Sequence, residues 1–435
     1  MTDLVTRAGD HAAHERAGGT AGGSLARRLD TADAVVIGLG SMIGAGVFSA
    51  LGPAAESAGG ALLLGLAVAA LVAYANATSS AQLAALYPTS GGTYFYGRER
   101  LGPFWGFLAG WGFVIGKTAS CAAMALTFGA YAAPSAMRPL AVGAVVALVT
   151  LNLLGIRRTA QATRLLVAVV LAALAAVLVG ALFGGQADVD NLSPFFVGDV
   201  YGVLQAAGLL FFAFAGYARV ATLGEEVRDP ARTIPSAIPL ALGITLVIYA
   251  AVALAALLAV GPERLAGADA PLAEAVRAGS LDWLAGAVRV GAVVGSLAVL
   301  LSLLAGVSRT ALAMARERDL PHALAAVHPR RQVPQRAELL IGAVVIAVVL
   351  AADIRGAIAF SSFSVLVYYA IANASAWTLR PQERRWPRWL AGLGLAGCLL
   401  LAATLPITGV AAGAAMLAIG ATGWMVLTRA GHRLP

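Results

Sequence analysis

Apolar segments recur along the whole of this chain, at about 32–53, 58–82, 103–133, 139–155, 162–184, 200–222, 235–260, 282–314, 337–352, 356–379, 387–405 and 407–428. Most approach the ~20 residues that carry an α-helix through ~30 Å of hydrocarbon. With no water there to satisfy peptide groups, a repeated pattern of this length leaves helices as the spanning structure. Composition agrees. Hydrophobic residues make up 60% and charged residues 12%, against about 25% charged in soluble domains. The sequence therefore predicts an all-α polytopic membrane protein of about twelve transmembrane helices.

Arginine placement tests that count. With the N-terminus in the cytoplasm and the spans alternating, inside segments receive Arg98 and Arg100, Arg157, Arg158 and Arg164, Arg330, Arg331 and Arg336, and Arg384, Arg385 and Arg388. Outside segments receive isolated arginines such as Arg138 and Arg355, with acids such as Asp188, Asp190, Glu263 and Asp269. This is the positive-inside pattern, and it predicts an integral protein of a bacterial-type cytoplasmic membrane with both termini cytoplasmic. It also accounts for the net charge of +8 without a nucleic-acid partner. Residues 1–31 read as a polar cytoplasmic tail, not a signal peptide. Cys121 and Cys398 lie in apolar runs and the five histidines in tails or loops, so neither a disulfide, a metal site nor a cofactor is expected.

The first span is unusual. Gly38, Gly40, Gly44 and Gly46 fall within nine residues of it, and each glycine costs a helix about 1 kcal/mol relative to alanine. A dinucleotide fingerprint would need a strand before and a soluble βαβ unit around it, and neither is present. Non-helical backbone inside a membrane is tolerated where it is buried in protein or lines a cavity, and broken helices of this kind hold substrate in many transporters. The sixth span repeats the feature at Phe211-Phe-Ala-Phe-Ala-Gly-Tyr217. Five spans separate the start of one from the start of the other, an odd number, so the two halves run in opposite senses. That points to an inverted repeat with its site at the midplane.

At these residues the chain resembles the amino acid–polyamine–organocation superfamily of permeases. The likeness is carried by Gly40-Ser-Met-Ile-Gly-Ala-Gly-Val-Phe48, Tyr87-Pro-Thr-Ser-Gly-Gly-Thr-Tyr-Phe-Tyr96, Phe212-Ala-Phe-Ala-Gly216, Glu225-Glu-Val-Arg-Asp-Pro-Ala-Arg-Thr-Ile-Pro235 and Met314-Ala-Arg-Glu-Arg-Asp-Leu-Pro321, in that order. The resemblance implies a five-plus-five inverted repeat (LeuT-like) with two extra C-terminal helices. On this chain that means helices 1–5 over 32–184, helices 6–10 over 185–380, and helices 11 and 12 with a short tail over 381–435. It implies a monomeric secondary transporter for amino acids, surrounded by lipid. The substrate carboxylate would meet backbone amides of Ile43, Gly44, Ala45 and Gly46, where a helix N-terminus offers partial positive charge. The amino group would meet carbonyls of Met42, Phe212 and Ala215 beside Gly216, with the Phe212 ring as a lid. Ala213, Ser120 and Ser302 would shape the pocket floor.

Lys117 is the sole lysine, roughly fourteen residues and so about 20 Å into the third span. A charge at that depth is a functional hypothesis by default. Many members of the superfamily place a lysine in the fifth span, where its ammonium stands in for the sodium of sodium-coupled relatives. Here the counted position is Val170, and the eighth-span hydroxyl positions are Leu304 and Ala305. The expectation is a sodium-independent transporter, proton-coupled or exchanging, with Lys117 as a fixed cation or a proton carrier. Arg219 is expected to pair with Glu225 or Glu226. No carboxylate lies mid-span, which weighs against a carboxylate proton relay and against a strongly cationic substrate. A polyamine or organic-cation permease is the alternative. A channel would show rings of charge or carbonyl filters, and a membrane-embedded enzyme would need a nucleophile, base or metal motif that this chain lacks.

Overall fold

The computed structural model describes residues 29–44, 46–87, 91–155, 160–197, 199–221 and 227–429. Ala45, the Pro88–Ser90 part of the second motif, Arg157, Arg158, Glu225 and Glu226 lie outside the described residues, as does nearly all of the N-terminal tail. The described chain is helical, and its sole bridge joins Leu29 to Val227. Among these residues nine helical stretches are long and apolar enough to cross a membrane, and two shorter apolar helices accompany them, Thr31–Met42 and Arg388–Thr404.

The first apolar run is two helices, α1 (Thr31–Met42) and α2 (Gly46–Ala58), followed by α3 (Leu62–Leu86), α4 (Gly92–Leu101), α5 (Pro103–Ala132), α6 (Met137–Leu153), α7 (Ala160–Phe183) and α8 (Val200–Phe214). Then come α9 (Pro230–Gly267), α10 (Pro271–Arg277), α11 (Leu284–Arg316), α12 (Gln335–Ala351), α13 (Ile354–Trp377), α14 (Arg388–Thr404) and α15 (Ile407–Arg429). Local chemistry sets several boundaries. Asp30 and Asp33 form a capping box on α1, and the Asp199 and Asp353 side chains accept from Tyr201 N and Gly356 N at the starts of α8 and α13. Each satisfies an amide that the helix itself cannot. Between α4 and α5 the chain turns at Gly102, with φ of 104°, and Pro103 then opens α5 at the position where its missing N–H costs nothing.

Helix α5 is the central column. Its most apolar window is 89% buried within the protein, against 6% for that of α15, and it lies between α11 and α13. Helices α1 and α2 cross against α9 and α8 respectively. The broken first span and the sixth span therefore meet in the interior, beside the helix that carries Lys117.

One network ties the motifs at the end of the bundle that carries Arg98. Asp319, after α11, accepts from Tyr94 Oη at 2.7 Å, Arg98 Nη1 at 2.7 Å and Trp424 Nε1 at 3.1 Å. Burial, and then the Asp319 carboxylate beside it, pushes the Tyr94 phenol well above its ordinary range.

Candidate functional site

Helix α1 stops at Met42. The Ile43 amide donates to Leu39 O at 2.7 Å, and α2 starts at Gly46, so the interruption falls where the spacing of Gly44 and Gly46 places it. Gly38 and Gly40 lie within helix instead. A Cβ would come within 2.9 Å of Val220 at Gly38 and of Val167 at Gly40, so these two glycines serve close helix packing and not the break. The sixth span breaks as well. Helix α8 ends at Phe214, a 3-10 turn runs Ala215–Tyr217, and one helical turn follows at Ala218–Ala221.

The two breaks touch. A Cβ on Gly216 would lie 2.1 Å from Ser41 O and 2.8 Å from Met42 N, and one on Gly46 would lie 2.6 Å from Ala213 Cα. Gly44 faces α11, where a Cβ would meet Val299 at 2.1 Å. Side chains from three further helices then fasten the opened backbone. Lys117, 7% exposed, donates from Nζ to Ala215 O at 3.4 Å. Tyr369 on α13 donates to the same oxygen at 3.3 Å. Tyr249 on α9 reaches Met42 O at 2.5 Å and Ala213 O at 3.2 Å, one carbonyl from each broken span.

A carbonyl oxygen has two lone pairs. That of Ala215 is engaged by two protein donors and that of Met42 by one, while the Ile43 amide is committed to Leu39. Of the residues expected at the substrate, Gly44 is buried in the break, Gly46 is buried at the start of α2 and Phe212 is half-buried; Phe211, Phe214 and Tyr217 beside it are fully buried. Gly216 is likewise half-buried. Ala213, expected at the pocket floor, packs closely on Gly46. Ser120 is turned to α13, with its Oγ 2.6 Å from Ser361 Oγ. Ser302 is exposed on α11, one helical turn beyond Val299. Arg219 is half-buried, and both acids expected to pair with it lie outside the described residues.

Val170 and Leu304 are buried, and a Cβ on Gly295 would lie 3.1 Å from Val170 Cγ2 and 3.1 Å from Gly44 O. Apolar packing thus fills the region where a fifth-span lysine was sought. Tyr249 and Tyr369 escaped the sequence reading. The signal was present, since a buried tyrosine hydroxyl needs a partner, but not the partner's identity. Glu338 also escaped it. At the edge of the ninth apolar run, in the first turn of α12, it is nevertheless 3% exposed.

Residues 33–429 match the family model described as amino acid permease. An uncharacterized transporter of Mycobacterium tuberculosis is 64% identical over 92% of this chain and 91% of its own length. A branched-chain amino acid permease of Bacillus subtilis is 29% identical over 73% of each chain. A methylthioribose transporter of the same organism is 31% identical over 79% of this chain and 78% of its own.

Proposed function

The chain belongs to the amino acid permease family, and from that premise we propose that it is a secondary transporter moving amino acids across a cytoplasmic membrane by alternating access. The observation that carries the reading is the pairing of the two broken spans. Gly216 lies against Ser41 and Met42, and Lys117, Tyr249 and Tyr369 fasten carbonyls from both spans. Ends of half-helices at the midplane present amides to a carboxylate and carbonyls to a cation. The Gly44 and Gly46 amides would take the substrate carboxylate, the Met42 and Phe212 carbonyls its ammonium, and the Phe212 ring would cover it. Ala215 O is held by Lys117 in this state, so it would reach substrate only after Lys117 or Tyr369 lets go.

The architecture in this proposal is the five-plus-five inverted repeat with two further helices, α14 and α15, and both termini cytoplasmic. Coupling is sodium-independent, by protons or exchange, because Leu304 and Ala305 bring no hydroxyls. Relatives named for branched-chain substrates and, in the human cationic amino acid transporter 4, for cationic ones share the family. The Lys117 amine next to Ala215 favours substrates without a second positive charge, since like charges in a low-dielectric site repel strongly.

Purified protein in liposomes, offered each of the twenty amino acids with and without a proton gradient, tests the reading. Saturable uptake competed by an unlabelled amino acid supports it. Uptake confined to polyamines or other organic cations would replace it with the organic-cation permease, and the name of the Bacillus relative makes methylthioribose a further substrate to include.

A further inference from the structure

Away from the breaks, Glu338 is buried among three helices. It stands in the first turn of α12, where Asn152 Nδ2, at the end of α6, donates to its Oε1 at 2.7 Å. Its Oε2 lies 2.5 Å from Ser308 Oγ on α11, and that same Oγ lies 2.7 Å from Leu304 O. A serine hydroxyl carries one hydrogen, and an ionised carboxylate carries none. If Ser308 gives its hydrogen to Leu304 O, the contact with Glu338 has no hydrogen in it. If Ser308 gives it to Glu338, the oxygen of Leu304 faces a bare oxygen at 2.7 Å. One additional proton, on Oε2, satisfies both contacts. Oε2–H then donates to Ser308 Oγ, Ser308 donates to Leu304 O, and Asn152 donates to the remaining carbonyl oxygen.

The charges around Glu338 point the same way. From α5, Cys121 lies within electrostatic reach of Glu338, whereas Lys117 Nζ is engaged with Ala215 O. On α11, Arg309 is exposed, and on α12 itself Arg336 is exposed and reaches Ala323 O. From the loop before α12, His322 is exposed and Arg331 reaches Leu153 O, while Arg138 of α6 reaches Leu350 O at the opposite end of α12. Among the described residues the polar partners of this carboxyl are the neutral Asn152 and Ser308. A buried carboxylate is costly unless a cation is paired with it.

We propose that Glu338 is a proton-binding site, loaded in this conformation and hydrogen-bonded through Ser308 to the Leu304 carbonyl. The ligand is the proton itself, and the inference deepens the transport reading by locating a coupling ion on the helices that surround the breaks. Helix α11 carries Ser308 at one point and packs Gly295 and Val299 on Gly44 at another, so the charge state of Glu338 acts on the helix that backs the first break.

Infrared spectroscopy of the purified full-length protein in lipid tests the site without any transport. At neutral pH the wild type should show the carbonyl stretch of a protonated carboxyl. That band should be missing from Glu338→Gln and displaced in Ser308→Ala, which removes its acceptor. Absence of the band from the wild type overturns the inference, as does a band unaltered in either variant. A change in carboxylate bands when choline is exchanged for sodium also overturns it, since the cluster would then hold a metal cation. In liposomes, Glu338→Gln should keep exchange but lose uptake driven by a pH gradient; uptake still driven as in the wild type refutes the coupling role. A chain that transports no amino acid at all would sink the transport reading and leave the infrared result standing.

Discussion

Replacing Lys117 with methionine separates function from scaffold, because the two roles predict opposite signs. The substitution keeps the length of the side chain, deletes its amine, and leaves Ala215 O with Tyr369 as its described side-chain donor. A hydrogen bond from a charged donor contributes about 1.5–3 kcal/mol. At 3.4 Å the lower figure applies, and ~1.5 kcal/mol corresponds to about a tenfold change in an equilibrium. If that bond holds the sixth break in register, transport should fall about tenfold or more. Global stability should not fall with it. Lys117 is 7% exposed, and deleting its amine also removes the cost of burying a charge, which offsets the lost bond. The assay is thermal unfolding of the purified variant beside initial uptake in liposomes. Lower stability with normal transport would refute the reasoning and make Lys117 a structural residue. Lys117→Arg refines the role. Partial activity fits a permanent cation, whereas lost proton-driven accumulation with retained exchange fits a proton carrier, since arginine does not deprotonate in proteins.

Other expectations follow from single contacts. Tyr249→Phe removes the hydroxyl that spans Met42 O and Ala213 O, a loss of about 1–1.5 kcal/mol, so equilibrium binding of substrate should weaken by up to ~10-fold while expression holds; unchanged affinity would take Tyr249 out of the site. Gly216→Ala drives a Cβ to 2.1 Å from Ser41 O and should lower the unfolding temperature, whereas Gly306→Ala, with open space around its Cβ, should be neutral or stabilising by up to ~1 kcal/mol. Equal effects at the two positions would contradict the crossing of the breaks. Choline in place of sodium at constant pH should leave uptake unaltered, because Leu304 and Ala305 bring no side-chain hydroxyls and the Ser308–Glu338 pair beside Leu304 O is read as holding a proton; steep sodium dependence would refute this.

Much of the architecture was legible in the sequence, for a physical reason. Bilayer thickness turns hydropathy into helix length, and among the described residues the apolar runs fall mainly on helix, nine stretches of it long enough to span. The breaks were legible because four glycines are costly in a membrane helix, though only Gly44 and Gly46 flank the interruption. Gly38 and Gly40 are required by Val220 and Val167, partners far away in the chain that no local pattern reveals. The same limit hid Tyr249, whose function depends on carbonyls 207 and 36 residues away. Glu338, at the start of α12, was hidden in the same way, since its partners Ser308 and Asn152 lie 30 and 186 residues away. Substitution at Gly44 or Gly46 would say little about a ligand, because any Cβ there meets Val299 or Ala213 first.

Counterflow into liposomes tests the central claim most directly. Vesicles holding purified protein and an excess of one unlabelled amino acid are diluted into a trace of the same compound in labelled form. The account predicts transient accumulation of label for at least one amino acid, equal in sodium and in choline, and abolished by saturating unlabelled substrate outside. Failure to accumulate any of the twenty, by protein shown to be folded, would contradict it.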